Sequence, residues 1–192
     1  MSMKPNWRSA ALVAMALSLN GLAVSEAMAQ RVKLATTMGD IVLELDPAKA
    51  PKTVDNFVGY VNAGHYNGTV FHRVIDNFMI QGGGMTADLK EKPTRAPIPL
   101  ESGSGLAHQR GTVAMARTNV PASATSQFFI NVQNNDRLNG TTPGANGYAV
   151  FGKVVEGMDV VDRIRAVPVA DSGPHQNVPV KPVLINKASV LP

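Results

Sequence analysis

Short runs of β-branched and aromatic residues, each closed by a turn former, recur from residue 32 to residue 190, and only two segments between them carry helical periodicity. Val32 to Thr36 and Ile41 to Leu45 flank Met38-Gly39-Asp40, which reads as a hairpin. Phe71 to Ile75 and Phe78 to Gln81 flank Asp76-Asn77, whose short side chains hydrogen-bond their own backbone and tolerate unusual φ. Thr112 to Ala116, Phe128 to Val132, Ala149 to Val155 and Val183 to Val190 extend the series. The first helical segment opens near Pro51, where a missing N–H costs least. Val54, Phe57, Val58 and Val61 then give it one apolar stripe, and Gly64 fits the residue just past its end. Asn67-Gly68 forms a turn, and Met158 to Arg165 is a second helix burying Val160, Val161 and Ile164. Many short strands with two helices favour a β-barrel or sandwich with helical caps over a parallel α/β sheet.

The strand Phe71-His72-Arg73-Val74-Ile75 raises a difficulty. Side chains alternate along a strand, so Phe71, Arg73 and Ile75 are expected on one face and His72 and Val74 on the other. Whichever face is buried takes an Arg or a His with it. Arg73 is either an edge residue whose stem packs while its head reaches water, or a donor fixed beside an apolar pocket.

Residues 1–29 differ in kind from the rest. Lys4 and Arg8 precede a ten-residue apolar run, Ala10 to Leu19, and Ala27-Met28-Ala29 places small residues before Gln30. The pattern is that of a cleavable secretory signal peptide, since the run is too short to span a bilayer. Cleavage leaves one domain, residues 30–192, exported to the periplasm, or secreted if the host has no outer membrane. It removes Lys4, Arg8 and Glu26, so a net charge of +4 becomes +3 over 163 residues.

That surplus is scattered, so neither nucleic acid nor, after cleavage, a membrane is an expected partner. Lys90-Glu91-Lys92, near Arg95, reads as a solvated part of the long segment Met85 to Arg110, which is rich in Pro, Gly, Lys and Ser. A loop of that length is expected to be functional or mobile. Cysteine is absent, which excludes disulfides and thiolate chemistry. The four histidines show no metal-ligand spacing, and Gly82-Gly83-Gly84-Met85-Thr86-Ala87 matches a dinucleotide fingerprint only formally, with no helix behind it. Gly103-Ser104-Gly105 is not a nucleophile elbow. No metal and no cofactor are expected.

Four blocks carry a resemblance: FHRVIDNFMIQGGG (71–84), GTVAMAR (111–117), SQFFINV (126–132) and YAVFGKVVEGMDVVDRI (148–164). In this order and spacing they resemble the cyclophilin family of peptidyl-prolyl cis–trans isomerases, over essentially the whole chain after residue 29, and most of all its exported bacterial members. The resemblance implies an eight-stranded antiparallel β-barrel capped by two helices, with the active site on its outer surface. It puts Arg73 in the place of the catalytic arginine. Phe78, Met79, Phe129 and Leu138 correspond to the pocket for the substrate proline ring, and Gln81 and Gln127 to the polar groups beside it. Ala116, Arg117 and Thr118 correspond to the edge segment that binds the peptide, largely through main chain. Partners implied are proline-containing unfolded or flexible polypeptides met by a monomer during the folding of exported proteins.

Three departures stand out. Asp76-Asn77 replaces the usual Pro-Gly turn, Arg137 stands where many members carry Trp, and Tyr148 stands where His is common. Arg137 and Tyr148 belong to the pocket rim, so weak cyclosporin binding is expected. The same groove without turnover would make a non-catalytic peptide-binding chaperone, and a barrel closed around a small apolar ligand is a further alternative.

Overall fold

The computed structural model describes residue 1, residues 29–141 and residues 143–192. The leader features at residues 2–28 lie outside the described residues. The strands are β1 (Arg31–Thr36), β2 (Gly39–Leu45), β3 (Thr69–Ile75), β4 (Met79–Gly82), β5 (Thr112–Met115), β6 (Phe128–Asn131), β7 (Val150–Glu156), β8 (Val169–Ser172), β9 (His175–Pro179) and β10 (Leu184–Val190). The helices are α1 (Pro51–Asn62) and α2 (Met158–Arg165), and a single 3-10 turn covers Asp136–Leu138. Eight strands close an antiparallel barrel in the order β1-β10-β3-β4-β6-β5-β7-β2, which leaves that sheet no open edge. β8 and β9 form a separate hairpin that packs across β3.

The first hairpin turns one residue earlier than expected, at Thr37-Met38. Thr36 pairs with Gly39, and the Thr36 hydroxyl donates to the Gly39 carbonyl at 2.6 Å while accepting from the Met38 N–H at 3.0 Å.

Inside the barrel the core is aromatic. Phe57 projects from α1 to within 5.1 Å of the Tyr66 ring, 5.5 Å of Phe128 and 5.0 Å of Phe151. Truncating so buried a ring to Ala costs roughly 3–5 kcal/mol. α1 ends as its glycine predicts: Gly64 has φ +67°, its N–H bonds the Val61 carbonyl at 3.0 Å, and the His65 N–H bonds the Tyr60 carbonyl at 3.0 Å. Its start has no capping side chain of its own, because Ala50 has none to offer. Glu101 fills that role from the long loop, accepting from the N–H groups of Lys52 at 3.1 Å and Thr53 at 2.8 Å.

The loop is thus strapped along α1 instead of solvated throughout. Arg95 donates to the Gly59 carbonyl at 2.9 Å and stacks on Tyr60, and Lys92 reaches the carbonyls of His65 and Asn67. A carboxylate at the helix start and cations at its end both complement the helix dipole. Among the described residues no helix is long and apolar enough to cross a membrane.

The alternation expected for β3 does not hold. Phe71 pairs with Gly82 and Arg73 with Gln81, so His72 is an extra residue without a partner on β4. This bulge sends both Phe71 and Val74 into the interior core, and turns Arg73 and Ile75 to the outer face. Phe71 and Arg73 do not share a face. The glycines opposite make room for the arrangement: a side chain on Gly83, which has φ +85°, would collide with the rings of Tyr66 and Phe128.

Candidate active site

Beyond the bulge, strand register builds a row of residues across the outer face. Arg73 on β3 pairs with Gln81 on β4, Gln81 with Phe129 on β6, Phe129 with Ala114 on β5, and Ala114 with Val150 on β7. Met79, Ala114, Phe129 and Val150 form an apolar cluster separate from the barrel core, with Ile75, Phe78, Leu138 and Tyr148 packed around it. A barrel normally presents polar side chains outward, so an apolar cluster on that face points to a binding surface.

A cavity of about 350 Å³ opens over the cluster, lined by Arg73, Phe78, Met79, Gln81, Ala116, Arg117, Phe129, Leu138 and Tyr148. Thr118 and Gln127 line a smaller cavity, about 160 Å³, which shares Gln81, Ala116 and Arg117 with the first. All the residues expected from the sequence are brought together in these two hollows except Arg137, which is exposed and stacks its guanidinium 4.6 Å from the centre of the Phe78 ring.

The polar groups are linked. Arg73 Nη1 donates to Gln81 Oε1 at 3.5 Å, and Gln81 Nε2 donates to Gln127 Oε1 at 2.9 Å. Among the described residues Arg73 has no carboxylate partner, so its remaining N–H groups are free to face a ligand. Arg117 is occupied differently. Its Nε donates to the Gly147 carbonyl at 2.9 Å, its Nη1 to the Thr118 carbonyl at 2.8 Å, and its plane lies 4.7 Å from the Tyr148 ring centre. It braces the wall of the cavity.

A model of the family described as "Cyclophilin type peptidyl-prolyl cis-trans isomerase/CLD" matches residues 31–190. This chain is a cyclophilin. It is 59% identical over 162 residues to peptidyl-prolyl cis-trans isomerase cyp18 of Streptomyces antibioticus, covering 83% of this chain and 98% of that one. Peptidyl-prolyl cis-trans isomerase A of Dickeya dadantii is 50% identical over 186 residues, with 96% and 97% covered. Among solved structures, a cyclophilin from Cryptosporidium parvum studied in the presence of the dipeptide Ala-Pro superposes with a TM-score of 0.70 at 26% identity, covering 85% of this chain and 99% of that one.

Beneath the cyclophilin's pocket lies a polar layer that reading the sequence missed. His108 stacks on Phe129 at 5.8 Å with 11° between the rings, and its Nε2 lies 3.1 Å from the Tyr148 carbonyl. Asn131 Nδ2 lies 3.2 Å from His108 Nδ1, so the neutral ring accepts from Asn131 and donates to Tyr148. Burial holds the His108 pKa below its ordinary value, which keeps the ring neutral. Asn135 Nδ2 in turn donates to the Phe78 carbonyl at 2.9 Å and to Asn131 Oδ1 at 2.7 Å, tying the 3-10 turn that carries Leu138 to the turn that carries Phe78. The signal available in the sequence is Asn131 itself, an amide at the end of the apolar run Phe128-Phe129-Ile130.

The site can hold an apolar ring against Phe78, Met79, Phe129 and Leu138 while a fixed cationic donor stands at its edge. Among the described residues, no group of three or more His, Cys, Asp or Glu is placed to hold a metal ion.

Proposed function

We propose that this cyclophilin catalyses rotation about X–Pro peptide bonds by stabilising the twisted amide with Arg73, and that it assists the folding of exported proteins. The isomerase activity itself is that of the family to which the chain belongs. An X–Pro bond resists rotation by ~18–20 kcal/mol because the nitrogen lone pair is conjugated with the carbonyl. At 90° the conjugation is broken and the nitrogen becomes a better hydrogen-bond acceptor than in either planar state. A donor held at that nitrogen binds the transition state selectively, which is what accelerates a reaction. One charge-assisted hydrogen bond contributes ~1.5–3 kcal/mol, or roughly 10- to 150-fold in rate. The apolar wall excludes water and strengthens the interaction.

The observation that carries the proposal is the cross-strand row in which Arg73 adjoins Gln81 and Gln81 adjoins Phe129. It supports a role for Gln81 in orienting the guanidinium, and for Ala116, Arg117, Thr118 and Gln127 in lining the path of the peptide. Arg137, stacked on Phe78, supports weak cyclosporin binding.

Export rests on the pattern of the first 29 residues: Lys4 and Arg8 precede the apolar run Ala10 to Leu19, and Ala27-Met28-Ala29 places small residues before Gln30. Two-dimensional magnetisation exchange on an Ala-Pro peptide tests the catalytic reading directly. Catalytic amounts of protein should raise the cis–trans exchange rate, and binding without faster exchange would leave a peptide-binding chaperone.

A further inference from the structure

Arg73 has a second face. Besides the apolar pocket it lines a separate cavity of about 330 Å³, whose opposite wall is the tip of the β8–β9 hairpin: Pro174, His175 and Gln176. Gln81 and Gln127 border this cavity too, and Gln81, like Arg73, lines both hollows. The hairpin is not part of the barrel and is solvated along β8. Ser172 pairs with His175, so the tip turns through Gly173 and Pro174, and packing across β3 brings it over the bulge that positions Arg73.

The chemistry of the cavity is one-sided. No Asp or Glu lines it, whereas Arg73, the imidazole of His175 and the amides of Gln176, Gln81 and Gln127 can all donate hydrogen bonds. Among the described residues the side chains of His175 and Gln176 have no hydrogen-bond partner, and Arg73 has no carboxylate. The hairpin's own acid, Asp171, accepts from the Asn177 N–H at 3.2 Å and does not line the cavity. The inner wall is His72, buried and held neutral, with Nδ1 lacking a partner. A hollow of donors around an unpaired guanidinium, open to solvent on one side, fits an anionic side chain.

We propose that this cavity is a specificity subsite for an acidic residue, Asp or Glu, flanking the substrate proline, with His175 and Gln176 as the residues that set the preference. The inference rests on the isomerase reading above. It requires one edge of Arg73 to serve the amide nitrogen and another to serve the carboxylate, which five N–H groups in a planar fork allow.

The test is exchange kinetics on Ala-Pro peptides carrying Glu, Gln or Lys in turn at each of the three positions on either side of the pair. At one position Glu should lower KM about three- to fivefold relative to Gln, the range of a partly exposed ion pair, and Lys should raise it, with kcat little changed. The His175→Ala/Gln176→Ala variant, which keeps Arg73, should weaken that discrimination while turning over the Gln peptides as the unmodified protein does. Independently, amide resonances of residues 174–176 in the unmodified protein should move on titration with the Glu peptide and not with its Gln counterpart. Turnover with no charge preference at any position, or a preference undiminished in the double variant, would overturn the subsite while leaving the isomerase reading intact. No turnover on any peptide would remove that reading and the subsite with it.

Discussion

Arg73 and Gln81 face each other across the β3–β4 ladder, with guanidinium Nη1 3.5 Å from the amide oxygen, and Gln127 completes the chain from the far side of Gln81. A long Arg side chain has many rotamers, and fixing it costs conformational entropy that its partners must offset. Two amides in series give one guanidinium N–H an acceptor beside the cavity that Arg73 shares with Phe129.

Gln81→Leu keeps the size of the side chain and removes both hydrogen bonds, so Arg73 regains rotamer freedom. Loss of an orienting bond of ~0.5–1.5 kcal/mol should lower kcat/KM roughly two- to tenfold with the fold unchanged. Exchange spectroscopy at matched protein concentration measures it, and turnover equal to that of the unmodified protein would show that Gln81 does not orient the arginine.

Stability should depend on pH through buried histidine. Burial, reinforced by the nearby charges of His175 and Arg73, lowers the His72 pKa to about 4, and burial also lowers those of His65 and His108. In the unfolded chain each returns to about 6.5. Above pH 6.5 neither state binds the proton, so the groups contribute nothing. Between pH 6.5 and 4 the unfolded chain takes up protons that the fold refuses, so stability falls as pH falls, and the His72 contribution levels off below 4. His72 alone accounts for roughly 3 kcal/mol over that window. The carboxylates of Asp159 and Asp162, held down by hydrogen bonds from Arg163 and Arg110, act in a lower window. Urea unfolding at pH 7.5 and 4.5 should show the loss, and His72→Gln should reduce it; equal midpoints at the two pH values would contradict the assignment.

Arg137 should decide cyclosporin affinity. Its guanidinium sits over the Phe78 ring, a hydrated cation where a Trp would present an apolar face and an N–H donor. Burial of ~60–100 Å² of aromatic surface contributes roughly 1.5–2.5 kcal/mol and the hydrogen bond about 1 more. The protein should therefore bind cyclosporin at least about a hundredfold more weakly than Trp-bearing cyclophilins. Arg137→Trp should recover much of that by isothermal titration, with little change in turnover. No gain from Trp would place the discrimination elsewhere.

Expression with the leader in a Gram-negative host should yield a mature chain beginning at Gln30 in the periplasmic fraction. Intact-mass measurement of that fraction identifies the cleavage point, and a full-length membrane-bound product would contradict it.

Much of this architecture is legible in the sequence because the signals are local. Val160, Val161 and Ile164 mark one helix face, and the helix spans Met158–Arg165 as that periodicity requires. The residues of the pocket are legible through the order of four motifs. The face occupied by Arg73 is not, because it depends on the bulge at His72, and that is fixed by pairing with Gln81 and Gly82, not by residues 71–75 themselves. The β8–β9 hairpin left no trace for a related reason. Val169-Ala170-Asp171-Ser172 is exposed at every position, so no alternation between core and solvent is written into it. The layer of His108, Asn131 and Asn135 leaves only the hint of Asn131 at the end of an apolar run, since polar residues met singly do not announce that they will find one another.

Arg73→Ala tests the mechanism most directly. The guanidinium is half-buried on the outer face and contributes nothing to the barrel core, so the variant should fold. Removing one charge-assisted hydrogen bond from the transition state should cut the enhancement of cis–trans exchange by at least about tenfold. Arg73→Lys should restore only part of it, because a flexible ammonium cannot hold the geometry of a planar fork. A folded Arg73→Ala protein that still exchanges an Ala-Pro peptide at the unmodified rate would contradict the mechanism outright.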